Sequence, residues 1–270
     1  MLDSILVNTP ISSPLHPQAN LPLLKAHLSA NGFKTRIIDS NIRFFHWFLG
    51  EKGFGVTMEE VYQNPLKILS VYDDLQKKLW TKNKAYKGLD VGLRNLNMKY
   101  DRIQFDSVVE SLEDVQANPF ISFYDEMIEQ EFKGTSIKIV GIAVTFQDQI
   151  ISAFTLANLI RKKMPEVKIV FGGQMVTRCY TSMISHSGIC RFFDYLALWE
   201  GEKIFVDIHR KEINGEGVTL VNVVDVRNKE QEIIRKDMRQ KQNKHTPTPQ
   251  RNAPKNTRLG KKKRPVSWQL

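Results

Sequence analysis

Cysteine is almost missing from this chain: its 270 residues hold two, Cys179 and Cys190, eleven positions apart. Two cysteines exclude a multi-bridge disulfide scaffold, and they exclude any iron–sulfur or zinc centre that needs three thiolates from this chain. They fit a reducing, cytoplasmic setting. Long hydrophobic runs are missing too. No stretch approaches the ~18 uninterrupted apolar residues of a membrane span, and the N-terminus passes directly into Ile5-Leu6-Val7 with no basic and apolar leader before it. Neither secretion nor a membrane contact is expected. Excess positive charge is missing from most of the chain as well, although the net charge is +10. Residues 227–270 hold 14 Lys and Arg against 3 Asp and Glu, so residues 1–226 carry a net −1. That balance argues against a nucleic-acid-binding fold and leaves only salt-dependent, non-specific contacts of the tail with polyanions.

What is present is an alternation of strands and helices. Ser4 to Val7 is a short apolar run that ends at Asn8-Thr9-Pro10. Leu21, Leu24 and Leu28 have helical spacing, with Asn31-Gly32 as a stop, and Thr35 to Asp39 supplies a second strand. Two strands joined through one helix form a βαβ unit and imply a parallel sheet. The rhythm resumes with Ile137 to Val144, whose nearly continuous apolar character marks a strand buried on both faces. A helix over 150–163, a strand over 167–171, a helix over 180–186, a strand over 193–198 and a closing helix over 203–211 follow. Val218 to Val226 alternates weakly and reads as a small β-extension. The expected fold is therefore α/β, a doubly wound, flavodoxin-like parallel sheet.

Residues 44–133 interrupt this order and read as a helical insertion with no clear strand. Leu66, Leu69, Tyr72 and Leu79 share one helical stripe, and Phe44, Phe45, Trp47 and Phe48 form an aromatic cluster expected to be packing core. The domain expected is thus 1–226, followed by a basic tail over 227–270. Beyond Arg235 the tail has little apolar material and reads as disordered.

In a doubly wound sheet the ligand sits where loops leave the carboxyl ends of the strands. Those loops hold the distinctive residues: Thr9-Pro10-Ile11, Thr145-Phe146-Gln147 with Gln149, Gly172-Gly173-Gln174-Met175, and Glu200-Gly201-Glu202. In order and spacing, Gly141 to Gln149, Ile169 to Gln174, and Asp194-Tyr195 followed by Glu200-Gly201-Glu202 resemble the cobalamin-binding domain of cobalamin-dependent radical S-adenosylmethionine proteins. Leu21 to Gly32 and Asp39 to Phe44 look like that family as well, so the resemblance runs over about residues 4–210. It implies cobalamin as cofactor, with those loop residues around it. Gly172-Gly173 would form a floor without side chains for a broad, flat ring, and Thr145 with Gln147 or Gln149 would offer hydrogen bonds to amides of the corrin or its tail.

The sequence departs from the pattern twice. The Asp-x-His-x-x-Gly motif that places a histidine under cobalt is missing, and His16 lacks its neighbours, so the resemblance implies a cobalt without a protein histidine and no metal ligand in this chain. The Cys-x-x-x-Cys-x-x-Cys triplet that holds a [4Fe–4S] cluster for S-adenosylmethionine is also missing. The expectation is a corrinoid-binding module that is not catalytic alone, the product of a truncated or split gene. The rivals are a subunit working with a separate radical protein, and a generic nucleotide- or sugar-binding α/β protein.

Overall fold

The chain builds its fold around short aliphatic strands, of which Ser4–Asn8 and Ile139–Ala143 are buried along their whole length. The computed structural model describes residues 2–14, 18–50, 58–86, 88–186 and 188–227. The expectations for His16 and for the tail beyond Arg227 lie outside the described residues.

In chain order the elements are β1 (Ser4–Asn8), α1 (Asn20–Ala30), β2 (Thr35–Asp39), α2 (Ser40–Leu49), α3 (Met58–Gln63), α4 (Lys67–Asn83), β3 (Leu89–Val91), β4 (Leu96–Met98), α5 (Phe105–Ser111), α6 (Pro119–Glu131), β5 (Ile139–Ala143), α7 (Ile150–Lys163), β6 (Lys168–Gly172), α8 (Gln174–Ile184), β7 (Tyr195–Ala197), α9 (Gly201–Asn214) and β8 (Val223–Asp225). Six strands make one sheet in the order β2-β1-β5-β6-β7-β8. All its pairs are parallel except β7 with β8. The first five strands reproduce the flavodoxin-like order, with its switch between β1 and β5. Among the described residues no helix is long and apolar enough to cross a membrane.

The pleat divides the apolar side chains between two cores. Ile5, Val7, Val140, Ile142, Ile169, Phe171 and Leu196 face one side, where they join α2, α4 and α5 to α8 in one cluster. Leu6, Ile139, Ala143, Val170, Tyr195 and Ala197 face the other, under α1 and α9. Every side chain of β1 and β5 is buried, as the continuous apolar runs require. The segment between β2 and β5 belongs to the first cluster. Phe44 and Phe45 are fully buried, and the Phe44 ring lies 4.8 Å from Phe120 and 5.4 Å from Phe123, so this aromatic group is packing core as expected.

Three expectations need correction. The segment does contain strands, the antiparallel hairpin β3–β4. Three-residue strands fall below what alternation can reveal, and this pair is held by contacts distant in sequence, with the Leu96 amide donating to Asp148 Oδ1 at 2.9 Å. The buried stripe of α4 is Val71, Leu75 and Leu79, while Leu66 and Leu69 are 70% and 58% exposed. At ~100° per residue those two leucines lie well over 100° around the helix from Val71. Finally, α8 starts at Gln174, six residues before the expected Tyr180, because it follows the glycine turn without a loop.

Candidate functional site

The carboxyl ends of β5, β6 and β7 finish in a row of residues with almost no side chain. Register places Ala143 beside Gly172 and Gly172 beside Ala197. All three face the α1/α9 side of the sheet. With neighbouring strands ~4.8 Å apart, this row is a bare floor roughly 10 Å across. Two rows back, Gly141 plays another part: a Cβ there would lie 2.7 Å from both Leu6 Cδ2 and Phe205 Cε1, so this glycine admits the Phe205 ring of α9 onto the sheet. At Gly201 a Cβ would meet Leu24 Cδ2 at 3.1 Å, which marks how closely the start of α9 approaches α1. Between floor and helices remains a cavity of about 210 Å³. Leu21 and Leu24 line it from α1 and Phe205 from α9, while Asn20, Leu23, Trp199, Glu200 and Glu202 stand at its rim.

Its chemistry is apolar inside and acidic at the edge. Among the described residues no Lys, Arg or His lines it. Glu200 and Glu202 sit at the first turn of α9, where the helix dipole favours carboxylates. Such a cavity takes a flat apolar ring and turns hydrogen-bond donors of the ligand toward two carboxylates. It provides no counter-charge for a di- or triphosphate.

The structure gathers Gly172, Gly173, Glu200, Gly201 and Glu202 around this cavity. The two glycines, expected to form one floor together, have different duties. Gly173 has φ +113°, and a Cβ there would lie 2.6 Å from the Val144 carbonyl oxygen. Gly172 has ordinary strand backbone, and its Cβ would meet Ala197 Cβ at 3.6 Å, an ordinary contact. Gly173 is therefore the turn and Gly172 the floor. Gln174 is exposed at the start of α8, and Met175 is buried on the opposite core, so neither reaches the cavity.

The remaining sequence-derived residues lie elsewhere on the same edge. The Thr9 hydroxyl donates to the Ala143 carbonyl at 2.9 Å, and Pro10 and Ile11 are buried. Gln149 is fully buried. Its Oε1 accepts from the backbone N–H groups of Thr145 at 2.7 Å and Phe146 at 3.0 Å, and its Nε2 donates to the Thr9 carbonyl at 2.5 Å. Thr9 and Gln149 thus tie β1 to the end of β5, and their hydrogen bonds are already committed to backbone and, for Gln149, to Asn8 Oδ1 at 3.4 Å. The Thr145 hydroxyl is buried without a partner. Phe146 is 48% exposed, and Gln147 lines a separate open groove with Tyr100 and Arg102.

The sequence reading missed the small residues Gly141, Ala143 and Ala197 and the walls Leu24, Trp199 and Phe205. The signal was there in part, since Gly141 and Ala143 fall at alternate positions of one strand, but joining them to Gly172 and Ala197 needs the strand register. Among the described residues no group of three His, Cys, Asp or Glu is placed to hold a metal ion. Cys179 is buried, which pushes its thiol pKa up, and Cys190 is exposed.

No family model and no curated protein matches the chain. Among solved structures it is similar to the radical S-adenosylmethionine methyltransferase TsrM from Kitasatospora setae with cobalamin and a [4Fe–4S] cluster bound, at 13% identity and TM-score 0.44, over 83% of this chain and 27% of that one. The same enzyme with tryptophan substrate and the S-adenosylmethionine analogue aza-SAM bound gives 13% identity and TM-score 0.40, over 82% and 28%. The chain spans little more than a quarter of the length of TsrM. These values are too low to carry residue correspondences from one protein to the other.

Proposed function

We propose that this chain is a cobalamin-binding module that takes the nucleotide base of the cofactor into the cavity over Ala143, Gly172 and Ala197. One observation carries the reading: the floor where three strands end has no side chain larger than a methyl, under a cavity already formed. The fit follows from size and polarity. An apolar cavity of ~150 Å³ holds a benzene ring, so about 210 Å³ suits a two-ring base. A side chain at Gly172 would project from the floor between Ala197 and Phe205 and fill that cradle. The carboxylates of Glu200 and Glu202 face the rim, where the amide donors of a corrin find acceptors.

Bound there, the cofactor would supply a cobalt centre able to carry a methyl group. The chain's own residues hold and orient it. The two cysteines of these 270 residues provide no cluster for S-adenosylmethionine, so a radical step would draw on a cluster held outside them, and a split methyltransferase subunit is the alternative form of this reading. The rival, a nucleotide- or sugar-binding protein, is disfavoured by the lining: among the described residues it has no cation for phosphates and too few polar groups for a sugar's hydroxyls. Titration calorimetry of the full chain against hydroxocobalamin, ATP, NAD and glucose separates these readings. Binding of hydroxocobalamin alone is expected, and binding of a phosphate-bearing nucleotide or a sugar in its place would replace this reading.

A further inference from the structure

Two non-glycine residues of the described chain have positive φ, and both lie where β7 meets the cavity. Trp199 has φ 69° and Asn222 has φ 60°. A left-handed conformation is costly for a bulky residue and persists only where its surroundings impose it. Here they do so from two sides. The Trp199 N–H donates to Thr177 Oγ1 at 2.9 Å, from the first turns of α8. The Leu198 N–H donates to the Asn222 carbonyl at 2.9 Å, from the residue that opens β8. The antiparallel strand β8 thus fixes the end of β7 just before Trp199.

The indole gains nothing for the core from this arrangement. Trp199 is 56% exposed, and across the rim Leu23 of α1 is 49% exposed. Both line the cavity. The backbone thus presents a half-exposed aromatic ring, outside both core clusters, to solvent beside an apolar cavity, where it is placed to meet a ligand.

We propose that Trp199 is the specificity-determining wall of this cavity, stacking on the planar aromatic base at the ligand's end and selecting ligands that carry one. The inference rests on the cobalamin reading only for the identity of the molecule that brings the base. Stacking on an aromatic side chain changes affinity by roughly ten-fold or more per base. Complete cobalamin, which has the base, is then distinguished from cobinamide, which ends before it.

The test compares the full chain with Trp199→Gly and Trp199→Phe. Glycine accepts φ 69° without strain, so Trp199→Gly is expected to raise the urea midpoint or leave it unchanged, a result that a purely structural tryptophan would not give. Its affinity for hydroxocobalamin should fall roughly ten-fold or more while that for dicyanocobinamide is unchanged, and Trp199→Phe should stay within roughly three-fold of the native chain. Free 5,6-dimethylbenzimidazole should quench a part of the tryptophan fluorescence that Trp199→Phe lacks. If neither corrinoid binds but this quenching is present, the cobalamin reading fails and the role of Trp199 stands. If Trp199→Gly changes both corrinoids alike or changes neither, the role is wrong. Where no corrinoid binds, absence of Trp199-dependent quenching overturns it.

Discussion

Replacing Gly172 with valine separates the cavity from the fold. The residue has ordinary strand backbone, and its added Cβ would lie 3.6 Å from Ala197 Cβ and 3.8 Å from Phe205 Cε2, so the chain has room for it. Glycine inside a strand costs about 0.5–1 kcal/mol relative to alanine, which offsets much of the ~1–3 kcal/mol of overpacking that the two further methyls introduce. The ligand has no such relief. A two-ring base buries ~150 Å² or more, as an aromatic side chain does, and at ~25 cal/mol per Å² its exclusion costs about 4 kcal/mol, close to a thousand-fold in affinity. Gly173→Ala should do the reverse. Its Cβ would lie 2.6 Å from a backbone oxygen at φ +113°, a cost to the fold of at least ~2 kcal/mol. Urea unfolding with spectral titration of hydroxocobalamin reads both effects. Unchanged affinity in Gly172→Val would refute the floor, and a Gly173→Ala protein as stable as the native chain would refute the division of labour between the two glycines.

Three further outcomes are expected. His209 is fully buried between the Phe205 carbonyl at 2.7 Å and Ser4 Oγ at 2.8 Å, and desolvation lowers its pKa to about 4. Its pKa in the unfolded chain is ~6.5, so the unfolded state binds the extra proton between these values: stability is full above pH ~6.5 and falls by about 3 kcal/mol in all as pH drops toward 4. Urea midpoints measured from pH 7 to 4 should show this slope, and His209→Gln should flatten it; an equal slope in the variant would contradict the assignment. Gln149→Ala removes the partner of the buried Thr9 carbonyl and of the part-buried N–H groups of Thr145 and Phe146 and should cost about 1–3 kcal/mol in the same assay, whereas a loss under ~0.5 kcal/mol would show that water replaces the amide. Bound cob(II)alamin should give an electron paramagnetic resonance spectrum without nitrogen splitting, since among the described residues no histidine lines the cavity and the base occupies it; a three-line splitting would place a nitrogen under cobalt and contradict that arrangement.

The sheet was legible because its central strands are continuous apolar runs and the segments between them have helical spacing; the helix over 150–163 agrees residue for residue. The hairpin Leu89–Val91 with Leu96–Met98 was not legible, because three residues carry no readable period and its anchor, Asp148, lies about fifty positions away. The candidate cavity lies at the edge of the sheet where the sequence places its distinctive loops, but the division of roles along that edge was not legible. Gln149 and Thr9 look like ligand-facing polar residues, yet they satisfy backbone groups between β1 and β5. Trp199 attracted no notice, because its unusual φ is a property of how β7, β8 and α8 meet rather than of its neighbours in sequence.

The most direct test of the central claim is to mix the full chain with hydroxocobalamin, remove the excess by gel filtration and record the visible spectrum of the protein fraction. The account predicts one corrinoid retained per chain, with retention lost in Gly172→Val at unchanged elution volume. A colourless protein fraction, or a Gly172→Val protein that retains the cofactor as the native chain does, would contradict it.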